Sequence, residues 1–317
     1  MIYFVMKKID SHIDIADMYK LWNYSVEDFL SDNTKPPVTL KKLQDSEIDI
    51  AGFSLYFDES FLKTTYKDGV NDFYAFYENI ISKTDKLYQI KDKKSLIEKP
   101  IDKTGYFFSI EGLECIDSID DFYEFYKKGV ISYGLTWDFT NKYACSRQSK
   151  IDSGLSDLGK ELLREMSKSP VIIDLAHLSE NSVKDADKYF NGMIVNTHSN
   201  VRSVWNCKHE MLDEEIQIVV DRGGLISLFP LAEDTGPNGS FEDLVKHLDY
   251  VVDKWGDDYV SFTSDIYPLP EYPFLEGYTD ISIMSGLEKF LLTRYPRESV
   301  EKFLYKNWYR VLNNTLK

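Results

Sequence analysis

Short apolar runs alternate with helix-period segments along almost the whole chain, and this alternation constrains the fold more than any other feature. The runs end near Asp14, Phe57, Ile110, Trp137, Ala176, His198, Pro230 and Asp265. Between them lie apolar stripes at helical spacing, such as Phe73, Phe76, Tyr77, Ile80 and Ile81, or Leu212, Ile216, Val219 and Val220. Helices are also predicted near 120–128, 156–168, 179–189 and 243–251, and two more, near 281–294 and 298–313, close the chain. Eight strands with their helices in 317 residues match the size of one α/β (β/α)8 TIM barrel. The expectation is a single catalytic domain, 1–317, with the C-terminal helices (about 281–313) packed on the barrel. A doubly wound open sheet shares the alternation, but it gathers its strand ends on one rim less readily.

Composition narrows the class. A hydrophobic content of 43% supplies a core, and 15% aromatic residues argue against disorder. A formal charge of −16 would repel nucleic acid and anionic membrane surfaces, so neither is expected as a partner. Cys115, Cys145 and Cys207 are odd in number and lack CxxC spacing, which favours a reducing compartment. The opening Met1–Met6 run is short and precedes Lys7-Lys8, the reverse of a signal peptide, and no run approaches a membrane span. A cytoplasmic protein is expected, starting at Met1 or Met6.

The chain has five histidines, and three of them, His12, His177 and His198, end strand-like runs. Asp14 and Glu111 do the same, so parallel strands would gather three imidazoles and two carboxylates on one rim. His12 and Asp14, at i and i+2, share one side of an extended chain and can reach one ion. His177 and His198 are 21 residues apart, about one βα repeat. A carboxylate at Glu111, in Ser-Ile-Glu-Gly, is costly to bury without a cation. With its two oxygens it can bridge two ions, one held by His12 and Asp14 and the other by His177 and His198. Two such metals, about 3.5–4 Å apart, would lower the pKa of a shared hydroxide and polarise a carbonyl. His247 falls within a helix and reads as structural.

These residues carry a family resemblance. The chain resembles the membrane dipeptidase (renal dipeptidase) family of zinc peptidases, amidohydrolase-like metal-dependent hydrolases, from near residue 6 to near residue 310. The matching stretches are Ile9–Asp14, Ser109–Gly112, Gly129–Trp137, Gly154–Lys160, Ile172–Ser179, Asn196–Asn200 and Thr263–Asp265. The resemblance implies one zinc on His12, Asp14 and Glu111 and a second on Glu111, His177 and His198, so two Zn2+ per chain. It also implies that Asp265 engages the substrate's free amine and assists proton transfer, and that the chain is a homodimer.

Three positions depart from the family pattern. Trp137 stands where well-studied members have a histidine that contacts the scissile group, and tryptophan cannot titrate. Cys207-Lys208-His209 replaces the region of an arginine that binds the substrate carboxylate; His209 or Lys208 would substitute without its bidentate fork. Asp265-Ile-Tyr-Pro268 replaces Asp-Phe-Asp-Gly. The substrate-binding candidates are therefore Asp265, Trp137, His209 and Tyr267, with Asp265 and Glu111 as catalytic residues. The expected activity is zinc-dependent hydrolysis of a dipeptide or dipeptide-like amide through a metal-bridging hydroxide. The alternatives are hydrolysis of another small amide or lactam on the same metals, and a non-catalytic metal-binding member.

Overall fold

The computed structural model describes residues 6–32, 35–56, 65–267 and 273–317. The expected strand end at Phe57 and the proline of Asp265–Pro268 lie outside the described residues, as do Met1–Val5. Among the described residues nine strands run in chain order: β1 (Lys8–Ile13), β2 (Ile48–Ser54), β3 (Leu87–Gln89), β4 (Thr104–Glu111), β5 (Val130–Gly134), β6 (Ile172–Asp174), β7 (Met193–Val195), β8 (Ile226–Leu228) and β9 (Val260–Phe262). All pairings between them are parallel, in the order β1-β2-β4-β5-β6-β7 and, separately, β8-β9. A parallel bridge between Asn196 and Ile226 joins β7 to β8, where Ser227 N–H donates to Asn196 O at 2.8 Å.

The last seam, β9 to β1, is made by side chains. Thr263 Oγ1 donates to Asp10 Oδ1 at 2.7 Å, Ser264 N–H donates to the same oxygen at 3.0 Å, and His12 N–H donates to Thr263 Oγ1 at 3.2 Å. Eight strands thus form the ring of an α/β TIM barrel, as the alternation predicts. The remaining strand, β3, was not anticipated. It pairs with the start of β4, Leu87 opposite Thr104, whereas β5 pairs with β4 from Phe108 onward.

The predicted helices are present with shifted ends, at Tyr66–Ser82, Ile119–Lys127, Asp157–Met166, Glu180–Tyr189, Asp213–Asp221, Phe241–Trp255 and Ile283–Leu291. Ser118, Ser156, Ser179 and Ser240 cap four of them by accepting a backbone N–H, which satisfies a donor that the first turn leaves free. The expected 298–313 helix is present and continuous from Arg297 to Thr315, with a π-helical turn at Lys302–Lys306 inside it.

Alternation along the strands separates two apolar cores. Ile9, Ile50, Phe107, Ile131, Ile172 and Val195 belong to a cluster completed by Trp308, Val311 and Leu312 of the last helix. Their β4 neighbours Tyr106, Phe108 and Ile110 belong to the larger cluster shared with the surrounding helices. The last helix therefore closes one end of the ring, and Trp308 Nε1–H donates to Ser227 Oγ at 2.8 Å. Phe107, Ser109 and Glu111 share a face by the period of two, so Glu111 points inward at the opposite end.

Candidate metal centre at the carboxyl ends of the strands

In β1 strict alternation would put Ile9 and Ile13 on one face, yet they belong to different cores. The β1–β2 register is irregular between Asp10 and Ile13, and a bulge of this kind re-aims the side chains that follow it. Asp14 then precedes the helix Ile15–Leu21 without capping it by its side chain, which leaves the carboxylate free for the site. Glu111 ends β4, and Gly112 follows at φ 89°, where an added Cβ would lie 2.4 Å from Glu114 Oε2. The glycine that follows Glu111 is thus required by the turn itself.

The strands β6, β7 and β9 are shorter than predicted, so His177, His198 and Asp265 sit three residues beyond them in turns and do not end the strands. His177 (φ 60°) and Asp265 (φ 45°) both hold left-handed backbone, a strained state for residues other than glycine. For His177 the restraint is visible: its carbonyl accepts from Arg147 N–H at 2.6 Å and from Thr136 Oγ1 at 3.3 Å. Arg147 is anchored in turn by a buried bidentate pair with Glu215, both N–O distances 2.9 Å.

The five predicted donors meet around Glu111. Glu111 Oε2 lies 3.4 Å from His12 Nε2, which is also 3.4 Å from Asp14 Oδ2. Glu111 Oε1 lies 3.1 Å from His177 Nε2 and 3.3 Å from His198 Nε2. The two sets, His12/Asp14/Glu111 and Glu111/His177/His198, therefore share one carboxylate with an oxygen toward each. Asp265 Oδ1 stands 3.9 Å from His12 Nε2.

The hydrogen bonds behind these groups decide where the lone pairs point. His177 Nδ1 lies 2.9 Å from Asp138 Oδ1, and the carboxylate can only accept, so His177 carries its proton on Nδ1. Thr197 Oγ1 gives its proton to Asp174 Oδ2 and therefore accepts from His198 Nδ1 at 2.9 Å. Both Nε2 atoms are then bare acceptors, 2.8 Å apart and both facing Glu111. Such an arrangement is repulsive unless a cation lies among the lone pairs. The buried nitrogens of His12 and Asp14 Oδ1 likewise have no hydrogen-bond partner. The donor set thus fits metal ions, with imidazole and carboxylate ligands suited to zinc.

Electrostatics points the same way. Burial opposes a charge on His12, but Asp14 and Glu111 hold its pKa well above the usual range. Burial likewise opposes a charge on His177, but the neighbouring Asp138 and Glu111 carboxylates push its pKa up to about 10. Glu111 is held well below the carboxylate range by His12, His177 and His198 against the effect of burial. Burial pushes Asp265 up, and the nearby His198 and His12 offset this only in part. The site calls for positive charge, and its own imidazoles would bear it if no metal did.

A cavity of about 540 Å³ opens beside His177 and His198, the size of a small-molecule site. Trp137, Asp138, His209, Asp234, Asp265, Tyr267 and the apolar Phe229, Leu231 and Phe274 line it. All four predicted substrate-side residues are thus on its wall. Trp137 packs 5.0 Å from the Tyr56 ring and 6.2 Å from His177. Tyr267 Oη donates to Asp17 Oδ2 at 2.6 Å. His209 faces the cavity beside Gln148, and burial pushes its pKa down. Lys208 does not line this cavity; its carbonyl accepts from Arg202 at 2.7 Å. His247 is fully buried away from the centre, as expected. Sequence reasoning missed Asp138, Asp174 and Thr197, whose roles depend on hydrogen bonds across the fold. The one available signal was that Asp138 directly follows Trp137.

A parallel barrel with such donor sets at the carboxyl ends of its strands is the architecture of metal-dependent hydrolases. The membrane dipeptidase family model (peptidase family M19) matches residues 2–317, and the chain belongs to this family of metal-dependent peptide-bond hydrolases. Among curated relatives, the dipeptidase tcpJ of Claviceps purpurea is 26% identical over 328 residues, spanning 96% of this chain and 76% of its own length. Among solved structures, a dipeptidase of family M19 superposes with a TM-score of 0.87 at 17% identity, covering 98% of this chain and 99% of its own. A Rhodobacter sphaeroides metallopeptidase, solved with a phosphinate mimic of the dipeptide L-Ala-D-Ala, gives a TM-score of 0.86 at 18% identity over 98% and 99%. At such identities the structural likeness speaks to the fold.

Proposed function

We propose that the chain is a zinc-dependent dipeptidase that holds two zinc ions and hydrolyses the amide bond of a dipeptide or dipeptide-like small molecule. The observation that carries this reading is the sharing of Glu111 between two donor sets, with the bare Nε2 atoms of His177 and His198 turned toward it. His12, Asp14 and Glu111 would hold one ion, and Glu111, His177 and His198 the other. When bound, the metals supply an activated water and Lewis-acid polarisation of the scissile carbonyl. Asp138 keeps His177 in its metal-binding tautomer, and the Thr197–Asp174 pair does the same for His198.

Asp265 projects into the same cavity. Its Oδ1, close to His12, is placed to hold the substrate's ammonium and to carry a proton toward the leaving amine. Trp137, Phe229 and Phe274 form an apolar wall that excludes water from the substrate. The relative solved with a dipeptide mimic lends the substrate class to this reading.

A second reading is favoured by one specific feature. The described residues that line the cavity include no lysine or arginine, so a free substrate carboxylate meets no ammonium or guanidinium group there. That fits an amide or lactam lacking the carboxylate. The test is metal content of the purified protein together with hydrolysis of L-L and L-D dipeptides and their C-terminal amides, with Glu111→Gln as control. About two zinc per chain bound through Glu111, lost together with dipeptide turnover in the control, support the dipeptidase. Turnover of the amides alone moves the substrate to the second reading, and no metal uptake overturns the centre.

A further inference from the structure

The loop after His198 and the short helix Ala232–Thr235 bring together a second donor cluster, Cys207, Glu210 and Asp234, of which Asp234 lines the cavity. Glu210 and Asp234 are 0% and 2% exposed. Cys207 Sγ lies 2.7 Å from Asp234 Oδ1. One oxygen of Glu210 accepts from Asn200 N–H, but Glu210 Oε1 and Asp234 Oδ2 are shut off from solvent without any hydrogen bond. Arg147 runs close by, yet its guanidinium binds Glu215 and the backbone carbonyl of Glu210. His209 Nδ1 lies 3.9 Å from Asp234 Oδ2. Two buried carboxylates and a thiol facing one another are costly without a counter-charge.

We propose that Cys207, Glu210 and Asp234 hold a further divalent cation beside the cavity, distinct from the ions at Glu111. One sulfur beside two carboxylate donors selects a borderline ion such as zinc over magnesium or calcium. Binding takes up the cation and releases the Cys207 thiol proton to solvent. The cation would also give the cavity wall the positive charge that its described side chains lack.

Cobalt(II) added to metal-free full-length protein tests this, because no residue of the Glu111 centre is a cysteine. The expected result is a thiolate-to-cobalt charge-transfer absorption in the near ultraviolet that persists in Glu111→Gln and disappears in Cys207→Ser. Glu210→Gln should weaken cobalt affinity at this site by about tenfold or more. Persistence in Glu111→Gln separates this site from the proposed catalytic centre. A second measurement needs no variant: zinc should protect Cys207, the one half-buried cysteine, from alkylation. No thiolate band at saturating cobalt, a band that survives Cys207→Ser, or unprotected alkylation would overturn the site.

Discussion

His177 condenses the logic of the centre. Its left-handed backbone is held by Arg147 N–H and Thr136, its Nδ1 faces Asp138, and its Nε2 is thereby turned to Glu111 and His198. Neither the strain nor the tautomer is a property of histidine alone; both come from residues about 30 to 40 positions away. Asp138 is therefore expected to matter as much as a direct ligand. Asp138→Ala should lower zinc affinity or turnover by roughly 10–100-fold while leaving the fold intact, because the side chain is partly exposed. Metal titration alongside kcat measures this, and unchanged values in both would remove Asp138 from the site. Trp137 at the cavity mouth packs on Tyr56 and Phe139, so it shapes the pocket without being able to exchange a proton there.

Among the elements, the helix Phe241–Trp255 shows how a second histidine serves the site at a distance. His247 accepts from Val201 N–H on Nδ1 at 3.0 Å and donates from Nε2 to Thr235 O at 2.9 Å, and so ties the loop after His198 to the helix Ala232–Thr235. Protonating Nδ1 would remove its acceptor, and burial, the largest cause, lowers this pKa to about 4. An unfolded chain takes up that proton from about pH 6.5 downward, so the contribution is complete above that pH and is lost as pH falls toward 4. The loss amounts to about 3 kcal/mol. Urea denaturation at pH 7, 6, 5 and 4 should show a slope for the native chain that His247→Gln lacks in this window. Parallel slopes would assign the acid sensitivity elsewhere. The β1–β9 seam makes the complementary point: Asp10, Thr263 and Ser264 close the ring where no backbone ladder does, directly beneath His12 and Asp265.

At the scale of the molecule, the centre links distant parts of the chain, since residues 12, 14, 111, 177, 198 and 265 converge from five strand ends. Ions bound there would favour the folded state by mass action, by about 2.7 kcal/mol at a free concentration of one hundred times Kd. Chelation should therefore lower Tm, and re-adding zinc should restore it; Glu111→Gln should be much less responsive. A Tm indifferent to chelator would argue against tightly held ions. Among the described residues no helix is long and apolar enough to cross a membrane. The alternation of apolar runs and helical stripes, and the placing of His12, Asp14, Glu111, His177, His198 and Asp265 at the ends of those runs, were legible because periodicity and residue type are local properties. Strand lengths, the extra strand β3 and the π-helical turn in the last helix were less legible, since pairing partners and packing set where an element stops or changes. The sequence by itself determined the barrel class and which side chains reach its rim. Only the tertiary structure decided the β1 bulge that turns His12 inward, the bonds to Asp138 and Thr197 that bare the two Nε2 atoms, and the meeting of Cys207 and Glu210 with Asp234. Each of these depends on contacts through space between segments that no local pattern connects.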